Sequence, residues 1–269
     1  MRLGPYEIAA EVGRGGAAIV YRARGRDGRD VAIKLIQGGE EEVARFHRER
    51  GVHSQLGAHE GFVPLVDAGI APEGPYLVMP FMRGGTLRQK MEDGPLDPGV
   101  AADLGWRLAS ALGRAHERGI VHRDMKPENV LYSSDGRPFI ADLGLAKHFT
   151  KDVKGTRYAT LTELGDFYGS AGYMSPEQMG DGGKPTAGPP SDVFSLGLIL
   201  YECVAGRPVF TGTAVFAIMT ALIQGIDPLE KVRPDVPHWF STAISRSIQR
   251  FPKDRFKHGA AFAAALDGP

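Results

Sequence analysis

The chain has 269 residues, of which 42% are hydrophobic and 24% charged, and its 32 basic residues balance its 32 acidic residues. This length can bury a sizeable core, and a formal net charge of zero argues against a nucleic-acid binder, which usually shows a basic excess. A single cysteine, Cys203, excludes an internal disulfide and indicates a reducing compartment. No apolar run is long enough to cross a bilayer, so we expect a cytoplasmic domain that makes no membrane contact.

The beginning of the chain reads mostly as strands. Residues 5–12, 19–24 and 30–36 have strand-like patterns, and a glycine-rich turn separates the first two. The spacing of apolar side chains predicts one amphipathic helix over residues 40–55. A short apolar strand at residues 76–79 follows a Gly-Pro turn.

The remainder of the chain reads as helices. An apolar stripe predicts a helix over residues 99–118, and residues 192–205 are apolar nearly all round, as in a buried helix. Residues 142–190 show little periodicity, and a loop of this length in a compact domain is usually functional. Weaker helical patterns occur at residues 213–224, 237–249 and 258–266.

Two features of the first strands suggest phosphate binding. The turn within residues 12–21 is rich in glycine, which lets main-chain N–H groups approach a polyphosphate closely. A plain hairpin is the alternative, whereas a dinucleotide-binding fold is disfavoured because the turn leads into a strand. Lys34 lies in an apolar strand, where phosphate oxygens and Glu49 of the next helix would stabilise its charge. The alternative for Lys34 is a solvated position on an edge strand.

The most specific motif is the string VHRDMKPENVL at residues 121–131, followed by Asp142-Leu143-Gly144 thirteen residues after Asn129. In these residues the chain resembles the eukaryotic-type (Hanks-type) protein kinases, and in particular the bacterial serine/threonine protein kinases. The resemblance extends from Tyr6 to about Leu266.

This resemblance implies an α+β, bilobal protein kinase fold in a single domain over residues 1–269. A small β-rich N-lobe with one main helix would span residues 1–79. The hinge would span residues 80–83, and a larger, mostly helical C-lobe would span residues 84–269.

The resemblance also implies transfer of the ATP γ-phosphoryl group to Ser and Thr hydroxyls of protein substrates. Such transfer needs positioning and charge neutralisation more than covalent catalysis. By the family's pattern, Asp124 accepts the proton of the substrate hydroxyl and Lys126 neutralises the migrating group. Ser170 would bridge these two residues, and the pair of Lys34 and Glu49 completes the expected catalytic set.

Ligands for a metal and for ATP follow from the same resemblance. Asn129 and Asp142 offer oxygen atoms, which suit Mg²⁺, with Mn²⁺ as an alternative metal. In the hinge, the main chain holds adenine. The residues expected to bind ATP are Val12, Gly13, Gly15, Gly16, Val20, Ala32, Lys34, Met79, Pro80, Met82 and Leu131.

Four further residues are expected to have regulatory or structural roles by resemblance. Arg123, beside the catalytic aspartate, implies control by phosphorylation of the segment that contains Thr160 and Thr162. Glu177 and Arg255 are expected to form a buried ion pair. Asp192 is expected to cap the central helix and to hold the main chain near His122 and Arg123.

Two other functions remain open at this point. A pseudokinase or nucleotide-binding signalling scaffold is disfavoured by the intact catalytic positions, and a small-molecule kinase is disfavoured by the peptide-docking motif that contains Ser170. A transient homodimer would allow autophosphorylation in trans. The full-length protein would be anchored in a membrane if a C-terminal span follows, as it often does in bacterial members of the family.

Overall fold

The computed structural model describes residues 2–15, 18–143, 147–148, 171–181, 186–210 and 215–268. The chain divides into two compact units. The first comprises Met1–Gly85 and Leu131–Leu145, and the second comprises Thr86–Val130 and Ala146–Pro269.

The first unit is built on a six-stranded antiparallel sheet with the strand order β1-β2-β3-β4-β6-β5. One long helix, α1 (Glu40–His53), accompanies the sheet. Its strands are β1 (Arg2–Leu3), β2 (Tyr6–Gly15), β3 (Ala18–Arg24), β4 (Asp30–Ile36), β5 (Asp67–Ala71) and β6 (Gly74–Pro80). The turn before β6 needs Gly74, because φ is 135° there and a Cβ atom would lie 2.6 Å from the Ile36 carbonyl oxygen.

The alternation of side chains along β4 separates the two faces of this sheet. Ile33 and Leu35 are buried in one hydrophobic cluster, whereas Lys34 between them points to the other face and is half-buried. On the Lys34 face, Phe46 of α1 packs in a cluster with Ile36 and Leu77. Burial of the Phe46 ring contributes about 1.5–3 kcal/mol. This contact holds α1 on the face of the sheet that presents Lys34.

A small hairpin also belongs to the first unit. It consists of β8 (Val130–Tyr132) paired with β9 (Pro138–Ile140). The Val63 N–H donates to the Ile140 carbonyl at 2.8 Å, and the Tyr132 N–H donates to the Gly85 carbonyl at 2.9 Å. These main-chain bonds attach residues 131–143 to the first unit.

The second unit is mostly helical. Its two small strands, β7 (Ile120–Val121) and β10 (Lys147–His148), pair antiparallel. None of the helices in the described ranges is both long and apolar enough to cross a membrane. The helices are α2 (Leu87–Glu92), α3 (Pro98–Glu117), α4 (Pro189–Ala205), α5 (Val215–Gln224), α6 (Leu229–Val232), α7 (His238–Ser247) and α8 (Gly259–Leu266).

The long helix α3 is the scaffold of this unit. The Asp97 carboxylate caps its first turn by accepting hydrogen bonds from the N–H groups of Gly99 and Val100. Its buried face packs against α4 and α8. The approach of α8 requires Gly259, because a Cβ atom there would lie 2.4 Å from the Ala109 carbonyl oxygen. With a β-rich first unit and a helical second unit, the predicted α+β class is confirmed.

Candidate active site

One face of the sheet in the first unit carries a group of half-buried side chains. The register pairs Val20 with Lys34 and Ala32 with Met79, so these four side chains share a face. All four are half-buried, whereas Ile33 on the opposite face is fully buried. This face thus presents three apolar side chains beside one cation.

The segment after β6 is fastened to the sheet by an ionic network. The Asp30 carboxylate accepts hydrogen bonds from Arg22 at 2.7 Å and from Arg83 at 2.6 Å. The Phe81 N–H donates to the Asp30 carbonyl, and the Arg22 guanidinium lies over the Phe81 ring. These contacts fix the main chain on both sides of Met82, which the sequence predicts as an adenine contact.

The remaining predicted contacts of adenine flank this segment. Pro80 ends β6 and pairs with Val31, so it stands directly before the fastened segment. Leu131 is half-buried in β8, next to Tyr132. The Tyr132 carbonyl accepts from the Gly84 N–H at 2.9 Å, which holds Leu131 beside the same segment.

The glycines of the first hairpin are not required by the fold. Gly13 and Gly15 lack a left-handed backbone, and among the residues that the structure describes a Cβ atom at either position would meet nothing closer than 3.9 Å. Steric packing within the unit therefore does not explain them, whereas close approach of a ligand does. Val12, which precedes Gly13 in β2, is 49% exposed. Gly16 lies outside the described residues.

The strongest ionic cluster of the first unit surrounds Lys34. Its Nζ donates to the two Glu49 oxygens at 2.8 and 3.0 Å and to Asp142 Oδ1 at 2.7 Å. Burial alone would lower the pKa of Lys34, but the charges and hydrogen bonds of Asp142 and Glu49 outweigh it and raise that pKa. The lysine is therefore charged, and the predicted contact between Lys34 and Glu49 is confirmed.

The two carboxylates of this cluster differ in exposure. The Glu49 side chain is 1% exposed, whereas the Asp142 side chain is 43% exposed. Asp142 also has φ of 60°, a left-handed conformation that is uncommon for a residue with a side chain. Leu143, the next residue, is buried. The cluster thus combines one enclosed anion with one that solvent can reach.

A buried histidine belongs to the same region, and the sequence analysis missed it. His53 lies one helical turn after Glu49 on α1, and its Nε2 is 4.0 Å from Glu49 Oε1. Burial and then the Lys34 ammonium lower the pKa of His53 to about 4. The spacing of four residues from Glu49 was the available signal. His53 is therefore neutral beside the ion pair at neutral pH.

In the second unit, the predicted catalytic loop gathers three functional side chains. Lys126 Nζ lies 3.0 Å from Asp124 Oδ2. Asn129 Nδ2 donates to the Asp124 carbonyl at 2.7 Å and to Asp124 Oδ2 at 3.1 Å. A 3₁₀ turn over Pro127–Asn129 folds the asparagine back to make these bonds. Lys126 and Asn129 thus both contact the same carboxylate oxygen, Oδ2 of Asp124.

A buried carboxylate holds the main chain of this loop. Asp192 accepts hydrogen bonds from the N–H groups of His122 and Arg123, both at 2.8 Å. It also pairs with His116 Nε2 at 2.9 Å, and the Gly259 N–H donates to His116 Nδ1. Nε2 of His116 is therefore the protonated nitrogen. Burial alone would raise the pKa of Asp192, but the bond from His116 and the neighbouring charges lower it.

The predicted capping role of Asp192 is wrong. Helix α4 begins at Pro189, its N-cap is Gly188, and Asp192 lies in the first turn. The helix starts earlier because proline is favoured in the first turn, where its missing N–H costs no hydrogen bond. The Asp192 side chain points instead to the main chain of the catalytic loop, as the other half of the prediction states.

The ion pair predicted between Glu177 and Arg255 is confirmed. The two side chains form a bidentate pair with distances of 2.8 and 2.9 Å, and Ser191 Oγ also donates to Glu177. Arg255 is 1% exposed and also donates to main-chain carbonyls, including that of Pro190. These bonds join Glu177, the last residue of the predicted docking motif, to Arg255 and to the start of α4.

The structure groups the predicted residues into two sets. Lys34, Glu49 and Asp142 come together in the first unit. Asp124, Lys126 and Asn129 come together in the second unit. Three other predicted residues, Ser170, Thr160 and Thr162, lie outside the described residues.

The chemistry of Asn129 and Asp142 suits a magnesium ion. Asn129 uses its amide nitrogen to bind Asp124, which leaves the amide oxygen for a cation. Asp142 contributes a carboxylate that solvent can reach. No group of three or more acidic, histidine or cysteine side chains within the described ranges is placed to hold a metal by itself. Mg²⁺ commonly binds through one or two carboxylates, with phosphates and water completing its coordination.

Comparisons with known proteins agree with this geometry. The family described as the protein kinase domain matches residues 6–260. The serine/threonine-protein kinase PknL of Mycobacterium tuberculosis is 35% identical over 269 residues, covering 97% of this chain and 65% of PknL.

Two further relatives are bacterial proteins. The probable serine/threonine-protein kinase PknB of Lactococcus lactis is 34% identical, covering 93% of this chain and 40% of its own length. The serine/threonine-protein kinase PknE of Mycobacterium bovis is 33% identical, covering 95% of this chain and 44% of its own length. The chain thus spans less than two thirds of each of these relatives. With the family match covering nearly all of its length, the chain belongs to the protein kinase domain family.

Proposed function

We propose that this domain is a serine/threonine protein kinase that transfers the γ-phosphoryl group of ATP to Ser and Thr hydroxyls of proteins. The observation that carries the proposal is the arrangement of Asp124, Lys126 and Asn129 on a loop whose main chain a buried carboxylate holds. The similarity to proteins named as serine/threonine-protein kinases supports an active kinase over a pseudokinase.

The first unit supplies the nucleotide contacts in this proposal. Ala32 and Val20 would lie against one face of adenine and Leu131 against the other, while the main chain of Met82 would bind the base. The N–H groups near Gly13 and Gly15 would approach the phosphates. Lys34 would bind phosphate oxygens, held in place by Glu49 at 2.8 Å. The raised pKa of Lys34 keeps this cation charged throughout the physiological range.

The second unit supplies the groups that act on the hydroxyl. Asp124 would accept a hydrogen bond from the substrate hydroxyl and orient its oxygen toward the γ-phosphorus. It would take the hydroxyl proton as the new O–P bond forms and the bond from the γ-phosphorus to the bridging oxygen breaks, with ADP as the leaving group. Lys126, 3.0 Å from Asp124, would stabilise the negative charge on the phosphoryl oxygens. Ser170, by resemblance, would bridge these two residues. A lysine at position 126 is the family's pattern for serine and threonine specificity.

Asn129 and Asp142 would hold Mg²⁺, or Mn²⁺ in its place. The bound ion supplies electrostatic neutralisation of the β- and γ-phosphate oxygens. The Asn129 amide nitrogen would keep its bond to Asp124, so the same asparagine would orient the carboxylate and present its oxygen to the ion.

The proposal extends to regulation and setting. Phosphorylation of Thr160 or Thr162 by a second copy of the chain, in a transient homodimer, would create an anion for Arg123 to bind. A cytoplasmic setting would supply ATP and protein substrates, and the domain itself would contact neither nucleic acid nor membrane.

Transfer to peptides tests this function directly. The purified domain is incubated with Mg²⁺ and ATP and with matched peptides that differ only in carrying Ser, Thr or Tyr, beside a panel of small-molecule alcohols. We expect phosphate on the Ser and Thr peptides and a loss of about 10²–10⁴-fold with Asp124→Asn. Transfer to small alcohols alone would favour the small-molecule kinase. Binding of ATP with no transfer to any acceptor would favour the scaffold.

A further inference from the structure

Gln178 links the segment after the predicted docking motif to the main chain of the catalytic loop. Its Nε2 donates to the Arg123 carbonyl at 2.9 Å. Its Oε1 accepts from the Ser175 N–H at 3.2 Å and from the Ser175 hydroxyl at 3.0 Å. The amide therefore uses both of its ends, and each end contacts a different segment of the second unit.

The acceptor of this bond lies next to the catalytic carboxylate. The Arg123 carbonyl is part of the peptide group that joins Arg123 to Asp124. Arg123 has φ of 72°, which is uncommon for a residue with a side chain and persists only where the surroundings fix it. Asp192 fixes the preceding peptide group through the Arg123 N–H. Gln178 fixes the following one, so both peptide groups of Arg123 are held.

The anchor of Gln178 is itself rigid. Ser175 is fully buried, and its carbonyl accepts hydrogen bonds from the N–H groups of Gln178 and Met179 at 3.0 and 3.2 Å. Glu177, the residue before Gln178, is held by Arg255. Because the main chain on both sides of its contacts is held by hydrogen bonds, the Gln178 amide can fix the orientation of the Arg123 carbonyl.

We infer that Gln178 is a positioning residue for phosphoryl transfer, which sets the peptide group of Asp124 from the segment that follows the docking motif. Rotation of that peptide group would redirect the Asp124 carboxylate, and a displacement of about 1 Å at a catalytic group costs up to about a hundredfold in rate. The inference rests on the proposed role of Asp124. It assigns to Gln178 no contact with substrate.

The test replaces the donor while keeping the size of the side chain. Gln178→Glu puts an oxygen where the Nε2 donor lies, against the Arg123 carbonyl, and Gln178→Met removes both polar ends. For each, we expect kcat per active site to fall about tenfold or more while the KM for ATP changes less than about twofold. The added carboxylate of Gln178→Glu should also shift the acidic limb of the pH profile of kcat upward.

Two controls separate the explanations. Gln249 is an exposed residue just after α7, and its Nε2 donates to the Ser245 carbonyl at 2.8 Å, so Gln249→Glu makes the same chemical change with no expected effect on kcat. Asp124→Asn, measured in parallel, tests the proposed function itself. If Asp124→Asn abolishes transfer and both Gln178 variants keep the wild-type kcat per active site, the inference is wrong. A lower active fraction with unchanged kcat and pH profile would mean that Gln178 only stabilises the fold, which also overturns it.

Discussion

In the first unit, the predicted functional charges contact other side chains directly, whereas in the second unit buried side chains also hold the main chain that carries Asp124. Lys34 is placed between two carboxylates, of which Glu49 is 1% and Asp142 43% exposed. Asp124 instead sits on a loop whose peptide groups are bound by Asp192 and Gln178. Because Lys34 lies between a buried and an exposed carboxylate, it can exchange the exposed one, Asp142, for a ligand. The bound main chain around Asp124 instead holds that carboxylate in place before the substrate binds.

The largest expected difference between the units is in the cost of losing a carboxylate. Asp192→Asn replaces a buried acceptor of three hydrogen bonds, so we expect the free energy of unfolding to fall by about 2–4 kcal/mol. Asp142→Asn changes a carboxylate that is 43% exposed, and we expect a cost below about 1 kcal/mol. Denaturant unfolding of both variants measures the difference. If the two substitutions lowered the free energy of unfolding equally, Asp192 would not be a structural carboxylate in contrast to an exchangeable Asp142.

The pair of Lys34 and Glu49 gives the next largest effect. Lys34→Met leaves the buried Glu49 carboxylate without its closest cation, and we expect a loss of about 3 kcal/mol in the free energy of unfolding. Adding Glu49→Gln removes the buried charge, so the double variant should be more stable than the sum of the single effects predicts. A double-mutant cycle by urea unfolding measures this coupling. Additive effects would mean that the two side chains do not stabilise each other.

The buried histidine makes the stability of the first unit depend on pH. The pKa of His53 is about 4 in the folded chain against 6.5 for the free side chain, so the folded form disfavours the proton. The contribution of neutral His53 to the free energy of unfolding is therefore complete above pH 6.5 and is lost as the pH falls toward 4. The total loss is on the order of 3 kcal/mol. His53→Leu removes this loss. Unfolding of both proteins at a series of pH values should therefore give curves that diverge only below pH 6.5, and parallel curves would exclude this role.

The smallest effect on stability is expected at the glycine hairpin. Because a Cβ atom at Gly13 has room, Gly13→Ala should change the free energy of unfolding by less than about 0.5 kcal/mol. The same methyl group would meet a bound nucleotide, so we expect the KM for ATP to rise roughly tenfold. Steady-state kinetics and thermal unfolding measure the two effects. A large loss of stability with unchanged KM would mean that the glycine serves the fold.

The sequence predicts the parts of this site that depend on strings of adjacent residues or on simple periodicity. The loop from His122 to Asn129 and the pairing of Lys34 with Glu49 follow from motif and burial cost. The sequence also predicts the main strands and helices, because their apolar spacing is strong. It predicts helix ends less well, as the start of α4 at Pro189 shows.

Contacts between distant segments could not be predicted in this way. The bond from Gln178 to Arg123 joins residues 55 positions apart, and neither residue type requires the other. The bond from Lys34 to Asp142 forms because main-chain hydrogen bonds attach residues 131–143 to the first unit. Main-chain hydrogen bonds do not depend on the identity of the side chains, so the sequence does not reveal this attachment. His53 has a spacing from Glu49 that is visible in the sequence, but its burial depends on how α1 packs.

Asp124 is proposed to serve phosphoryl transfer and not nucleotide binding. The direct measurement follows the intact mass of the wild-type domain and of Asp124→Asn during incubation with Mg²⁺ and ATP, with ATP affinity measured on the same samples by calorimetry. We predict that the wild type gains phosphate, that Asp124→Asn gains none, and that both bind ATP with affinities within about threefold, because the contacts proposed for the adenine base and for Lys34 belong to the first unit. Equal phosphate gain by the two proteins, or loss of ATP binding in Asp124→Asn, would contradict the claim.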